Sequence, residues 1–163
     1  MELRDKAALI TGGKRIGAAL AVSLARRGMD IALSYNRSRA EAEAAAAAIR
    51  DAGRRAFLIA ANLSQGSECQ RLVSEAAHSL GRLDVLINMA SVYRSAPLDK
   101  TDEALWDAVI DVDLKAAFLC ANAAVPHLRA AGTGRIVNFT DWVAASGRPR
   151  YNNYLAYYVA KRH

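Results

Sequence analysis

Short apolar runs alternate with longer amphipathic stretches from one end of the chain to the other, and no other feature narrows the possible folds as far. Residues 7–11, 31–35, 56–60, 83–87 and 135–139 read as strands. Continuous apolar strands of this kind belong to a parallel sheet covered on both faces. Between them lie helical patterns. Residues 15–27 place Ile16, Leu20 and Leu24 on one face, 38–52 are rich in alanine and glutamate, and 64–80 turn Leu72, Val73, Ala76, Ala77 and Leu80 inward. Residues 101–129 read as two helical stretches ending before Gly132, and a last helix starts at about Tyr154. Gly28 ends the first helix where a left-handed residue is needed, which glycine supplies without strain. Strand–helix alternation with right-handed crossovers predicts an α/β fold built on a doubly wound parallel sheet of about five strands, in a single domain over 1–163.

Composition removes several other classes. With 53% hydrophobic and 23% charged residues, the 163-residue chain can bury a sizeable core, which excludes disordered, collagen-like and disulfide-scaffold proteins. Cys69 and Cys120 form no CxxC pair, which points to a reducing compartment and no structural zinc. No cluster of His, Cys, Asp or Glu has metal-ligand spacing, so no metal is expected. No run reaches the ~18 apolar residues of a membrane span, and the first residues lack a signal-peptide core. A cytoplasmic protein with no membrane partner is the expectation. The net charge of +6 comes largely from arginines dispersed along the chain rather than gathered in a stripe, which favours a local phosphate site over a nucleic-acid partner. His78 reads as solvated, His127 as a helix-end residue and Trp106 as core or interface. Ser146 has no histidine placed to activate it.

The first strand runs into Thr11-Gly12-Gly13-Lys14-Arg15-Ile16-Gly17. Gly12 and Gly13 permit a tight turn and a close approach of backbone to phosphate, and Gly17 lets the helix pack against the strand. Free N–H groups at the helix start point at a pyrophosphate. Gly12, Lys14, Arg15, Ile16 and Gly17 are therefore candidate cofactor contacts, and the sheet reads as a Rossmann domain. A glycine turn with no ligand is the alternative, weakened by the placement after the first strand and before the first helix. The second strand ends in Tyr35-Asn36-Arg37-Ser38, without the acid that would hold the ribose 2′-hydroxyl of NAD. Arg37 and Ser38 suit a 2′-phosphate, with Lys14 and Arg15 near enough to help, so NADP(H) is the expected cofactor. The alternative is that Arg37 and Arg39 are solvated charges flanking the helix. Asn88-Met89-Ala90-Ser91 is either a turn lying against the adenine ribose or an ordinary strand-to-helix turn.

Near the end stands Tyr157-Tyr158-Val159-Ala160-Lys161, which puts Tyr157 and Lys161 on one helix face. With the glycine turn, the 88–91 turn and Gly134-Arg135-Ile136-Val137-Asn138 in the same order, the sequence resembles the short-chain dehydrogenase/reductase family over essentially its whole length. Within it, Arg15, Asn36-Arg37-Ser38 and Asp141 are most similar to the pteridine-reductase-like branch. The resemblance implies an NADPH-dependent oxidoreductase that transfers hydride to a carbonyl or a pterin-like C=N substrate. Tyr157 would be the general acid. Lys161 would hold the nicotinamide ribose and, with the oxidised nicotinamide, supply positive charge favouring the phenolate. Asp141 would orient substrate or relay a proton. Asn62, Leu63, Asn88 and Ala90 would join the cofactor contacts, and the full-length form would be a homo-oligomer, a dimer or tetramer. From their own positions, Tyr93 and Arg94 after the fourth strand either line a substrate pocket or anchor a loop, and Trp142 reads as a pocket wall.

The chain departs from the family pattern in four places. The glycine turn is short, with Arg15 where the middle glycine usually falls. Asp113 occupies the position of the fourth catalytic residue, usually an asparagine. The interval from Asp141 to Tyr157 is longer than usual, the excess falling in 146–153; Tyr154 would restore it, but no lysine follows Tyr154 four residues on. Finally, the sequence stops two residues after Lys161. The resemblance implies that further C-terminal strands and a substrate-covering lid are missing, that one sheet edge is unpaired, and that the last helix frays. A truncated chain that holds nucleotide without catalysing turnover is therefore the alternative function.

Overall fold

The computed structural model describes residues 2–145 and 152–162; positions 146–151, with Ser146, Gly147 and Pro149, and His163 lie outside the described residues. Strands β1 (Ala7–Thr11), β2 (Asp30–Tyr35), β3 (Ala56–Ala60), β4 (Val85–Asn88) and β5 (Arg135–Asn138) form one parallel sheet in the order β3-β2-β1-β4-β5. Helices α1 (Ile16–Arg26), α2 (Arg39–Asp51), α3 (Gly66–Leu80), α4 (Glu103–Ile110), α5 (Ala116–Ala130), α6 (Trp142–Ala145) and α7 (Leu155–Lys161) complete the chain. The strand order reverses between β1 and β4. In such sheets a crevice opens there, at the carboxyl ends of the strands.

Successive residues of each strand face opposite sides, so one strand feeds two cores. Ala8 and Ile10 of β1 pack with α1 and α2, while Ala7 and Leu9 pack with α3 and α5. In β4, Val85 and Ile87 join the first core and Leu86 the second. Both faces of β1 and β4 are thus dry, which explains why these strands are largely apolar. A third cluster, Val109, Ala156, Tyr157 and Ala160 with Trp106 against it, packs α7 onto α4.

Two features differ from the sequence reading. In α1 the buried stripe is Gly17, Ala21 and Ala25. Leu20 and Leu24 are only partly buried, and Ile16 is 66% exposed. The helix lies so close to the sheet that only its smallest residues fit beneath it, displacing the buried face by one position from the leucines. The two helical stretches after Thr101 are also one continuous rod. Asp102 caps α4 by accepting from Leu105 N at 2.8 Å, and a single π-type turn, Asp111–Lys115, joins α4 directly to α5. Such a turn holds one extra residue within a helix and often marks a functional site.

At the opposite end of the sheet, charges lock the strand starts. Asp84, fully buried, accepts from Ala7 N at 3.0 Å and takes a bidentate pair from Arg82 at 2.7 Å, with Lys6 at 3.6 Å. Burial opposes its charge, but Arg82, the Ala7 N–H and Lys6 together hold its carboxyl below the ordinary range. Asp30 is held likewise by Arg55 and Arg54. β5 lies at the sheet edge and is exposed along its length.

Candidate active site

The glycine turn is built by polar residues inside otherwise apolar strands. Thr11 Oγ1 accepts from Met89 N at 3.0 Å and Ala90 N at 3.1 Å, joining the carboxyl ends of β1 and β4. Ser34 Oγ accepts from Gly12 N at 3.2 Å. Gly12 has φ +90°, and a Cβ there would press on Ala90 at 3.3 Å. A Cβ on Gly17 would overlap the Gly12 carbonyl oxygen. The turn has room for backbone only, and this is the close approach a phosphate requires.

Beside it opens a cleft of about 520 Å³, within the range that holds small ligands. Gly12, Lys14, Asn36, Arg37, Ser38, Asn62, Leu63 and Ala90 line it, as does Arg94. Gly17 lies buried beneath the turn. Asn88 is buried too; its Nδ2 donates to Asn138 Oδ1 at 2.9 Å and tethers β4 to β5. Arg15 lines a different groove, between α1 and α2, and Ile16 is not among the residues lining the cleft. Arg15 adopts φ 52°, ψ −112°, a region natural only to glycine. Lys14 is paired with Glu41 at 3.3 Å and Arg39 with Glu43 at 2.7 Å. Among the described residues neither Arg37 nor Arg94 of the cleft has a carboxylate partner, so both charges are available to an anion, and Arg37 is the one that stands beside Ser38.

The second cluster lies where α7 meets the ends of β4 and β5. Tyr157 Oη donates to Asp141 Oδ2 at 2.8 Å. One turn on, Lys161 Nζ donates to Phe139 O at 3.3 Å and stands 3.6 Å from Asp113 Oδ1. Asp113, in the π-type turn, accepts from Ser91 Oγ and from Val92 N, the latter at 2.7 Å. Tyr157, Lys161 and Asp113 are each less than a tenth exposed. Tyr93 stacks on Tyr154 at 4.4 Å and meets the Tyr157 ring edge-on at 4.8 Å. The four side chains named as catalytic candidates thus lie together, Tyr157 bonded to Asp141 and Lys161 beside Asp113.

The resemblance implies that positive charge from Lys161 and the oxidised nicotinamide favours the phenolate; in the chain alone the balance runs the other way. Burial first, then the hydrogen bond to Asp141, pushes the Tyr157 phenol well above its ordinary value, with Asp113 and Tyr93 adding to the effect. The lysine's ammonium rests against Asp113 and a carbonyl, while the phenol's immediate partner is a carboxylate. Trp142 is 65% exposed and is not among the residues lining the cleft. Ser34, which fixes Gly12, was missed; a lone hydroxyl inside an apolar strand was the available signal. Ser91 was quoted only as part of a turn, and nothing in the sequence joined it to Asp113.

The profile of the short chain dehydrogenase family matches residues 6–161. The chain is 37% identical over 153 residues to FabG, a 3-oxoacyl-[acyl-carrier-protein] reductase of Staphylococcus epidermidis, which covers 93% of this chain and 63% of that relative. Among solved structures, it is similar to a short chain dehydrogenase from Burkholderia cenocepacia in complex with NADP. That match has 33% identity and a TM-score of 0.90, and covers 99% of this chain and 64% of the other. The NADH-dependent reductase A1-R′ complexed with NAD is 30% identical with a TM-score of 0.89, covering 98% and 68%. The chain therefore spans about 63% of the length of the curated relatives it matches.

Proposed function

The chain belongs to the short chain dehydrogenase family, and on that premise we propose that it is an NADPH-dependent reductase of a carbonyl or a pterin-like C=N substrate. The observation that carries this reading is the part-buried Tyr157–Asp141 pair at 2.8 Å, one helical turn from Lys161, which lines a pocket that shares Leu63, Ala90 and Val112 with the glycine-bounded cleft. Gly12, Lys14, Asn36, Arg37, Ser38, Asn62, Leu63 and Ala90 would hold the cofactor. The structural neighbours carry NADP in one case and NAD in another. Arg37, without a carboxylate partner among the described residues, supports the 2′-phosphate form here.

When bound, NADPH supplies the hydride. Tyr157 gives its phenolic proton to the substrate oxygen or nitrogen as the carbon is reduced, and regains a proton from solvent. Overall, one C=O or C=N group, one NADPH and one proton become an alcohol or amine and NADP+. The phenol carries the proton to be donated, and its rise above the ordinary value works against the donation. Asp141 fixes the hydroxyl's direction, and Lys161 stands ready to hold a ribose hydroxyl. The FabG name supports a carbonyl substrate; the carboxylate of Asp141, able to pair with a protonated ring nitrogen, supports the C=N alternative.

A second reading is a chain that holds nucleotide without catalysing turnover, for which the glycine turn and its cleft would suffice. Fluorescence titration with NADPH and NADH, followed by single-turnover oxidation of bound NADPH by a reactive diketone and by a dihydropterin, separates the readings. Oxidation that disappears in Tyr157→Phe supports the reductase. Tight binding with no oxidation by either substrate supports the second reading.

A further inference from the structure

The groove between α1 and α2 shares no lining residue with the nucleotide cleft. It encloses about 790 Å³ and is open to solvent. Its floor is Ala18, Ala19 and Val22 of α1 with Ala44, Ala45 and Ala48 of α2, so no floor side chain is longer than valine. A helix at a finished surface turns polar residues outward. Here Ala19 and Ala44 both face solvent. Charge surrounds this floor unevenly. Arg15 stands at one end of α1, and Arg26 and Arg27 stand at the other. All three are exposed, and among the described residues none has a carboxylate partner. The acid that lines the groove, Glu41, is taken by Lys14 at 3.3 Å. A single arginine in the last turn answers the dipole of α1; three unpaired guanidiniums around one apolar strip exceed that need. The surface is apolar along its middle and positive at both ends.

We propose that this groove docks an acidic helix of a partner protein. The alanine floor lets a third helix approach to about 8 Å between axes, the close limit of helix packing. The 11 residues of α1 hold the two charged ends about 16 Å apart. The partner helix therefore presents small apolar residues along one face, with carboxylates at both ends of that face, about three turns apart. Helix-in-groove recognition takes its area from the apolar face and its register from the end charges. Guanidiniums suit the task because each can pair with a carboxylate through two parallel N–H donors. A second copy of this chain is the poorer occupant, since its own α1 and α2 would bring arginines against arginines. The docking surface lies outside the nucleotide cleft and does not depend on the reductase reading.

The probe is a fluorescein-labelled, alanine-based helical peptide with a glutamate pair at each end, about three turns apart. Its anisotropy is followed on titration with the intact chain, with and without NADPH. Saturable binding should appear at low ionic strength, weaken as salt rises, and be unchanged by NADPH. A peptide of the same composition with its glutamates gathered at the centre should bind about tenfold more weakly. Arg26→Glu should weaken the patterned peptide about tenfold, since it sets like charges together. Arg129→Glu, an equal change of charge on α5 across the sheet, should leave binding unchanged. Ala19→Trp, which fills the groove without altering a charge, should weaken binding as Arg26→Glu does, and it carries the test should Arg26→Glu fail to fold. Absence of saturable binding, or undiminished binding to Ala19→Trp, overturns the assignment. Equal binding of the two peptides, or equal loss in Arg26→Glu and Arg129→Glu, overturns it in favour of general attraction to a basic protein. Displacement of the peptide by NADPH overturns it in favour of the nucleotide cleft.

Discussion

Arg15 offers a test of backbone strain in which side chain and main chain separate cleanly. Its φ of 52° and ψ of −112° match the first central residue of a II′ turn, where glycine is the natural occupant. A side-chain-bearing residue held there costs about 2 kcal/mol. Glycine removes that cost but adds about 1 kcal/mol of unfolded-state entropy. Arg15→Gly should therefore stabilise the chain by about 1 kcal/mol, raising Tm by about 3 °C for a domain of this size. Arg15→Ala is the control. It removes the guanidinium but keeps the Cβ, so it should fall within about 0.5 kcal/mol of the parent, like most surface changes. Urea unfolding of the three proteins, with equal m-values, decides the matter. If Arg15→Gly is no more stable than Arg15→Ala, the strain argument fails. If both are stabilised equally, the side chain and not the backbone was responsible.

Other outcomes follow from the same geometry. Gly17→Ala pushes a Cβ into the Gly12 carbonyl oxygen, and should cost about 3 kcal/mol in urea unfolding and abolish NADPH binding in fluorescence titration. Arg37→Ala should weaken NADPH at least tenfold, about 1.4 kcal/mol, while leaving NADH nearly unchanged; an equal loss for both would remove the 2′-phosphate assignment. Asp84 and Asp30 ionise more readily folded than unfolded, so their stabilisation is present above about pH 4 and is lost as pH falls through the lower folded values. Asp84→Asn should cost about 2 kcal/mol at neutral pH and flatten the acid limb of a stability-against-pH curve.

Strand positions and helix types were legible because both depend on local periodicity. The run 7–11 could be read directly, since a strand buried on both faces has only one pattern. Helix faces were less legible. In α1 the leucines announced a stripe, yet the closeness of the sheet, which no local pattern encodes, selected Gly17, Ala21 and Ala25. In the site, Tyr157 and Lys161 shared a helix and so shared a visible spacing. The partnership of Asp113 with Ser91 spans 22 residues and depends on how the π-type turn aims one side chain. The direction of the Tyr157 phenol's displacement depended first on its burial and then on the carboxylate beside it, both properties of packing alone.

The π-type turn has a mechanical consequence of its own. Within a regular α-helix each residue advances the azimuth by about 100°. The single extra residue in Asp111–Lys115 therefore acts as a phase offset between two segments of one rod, α4 seated on α7 and α5 seated on α3. Deleting any one of those positions would relax the turn to regular helix and swing one segment about 100° relative to the other. Trp106 and Val109 could then no longer meet Tyr157 and Ala160 while Ala116 and Cys120 kept their places on α3. The rod works as an indexed shaft: its length is tolerant, but its residue count between the two seats is not.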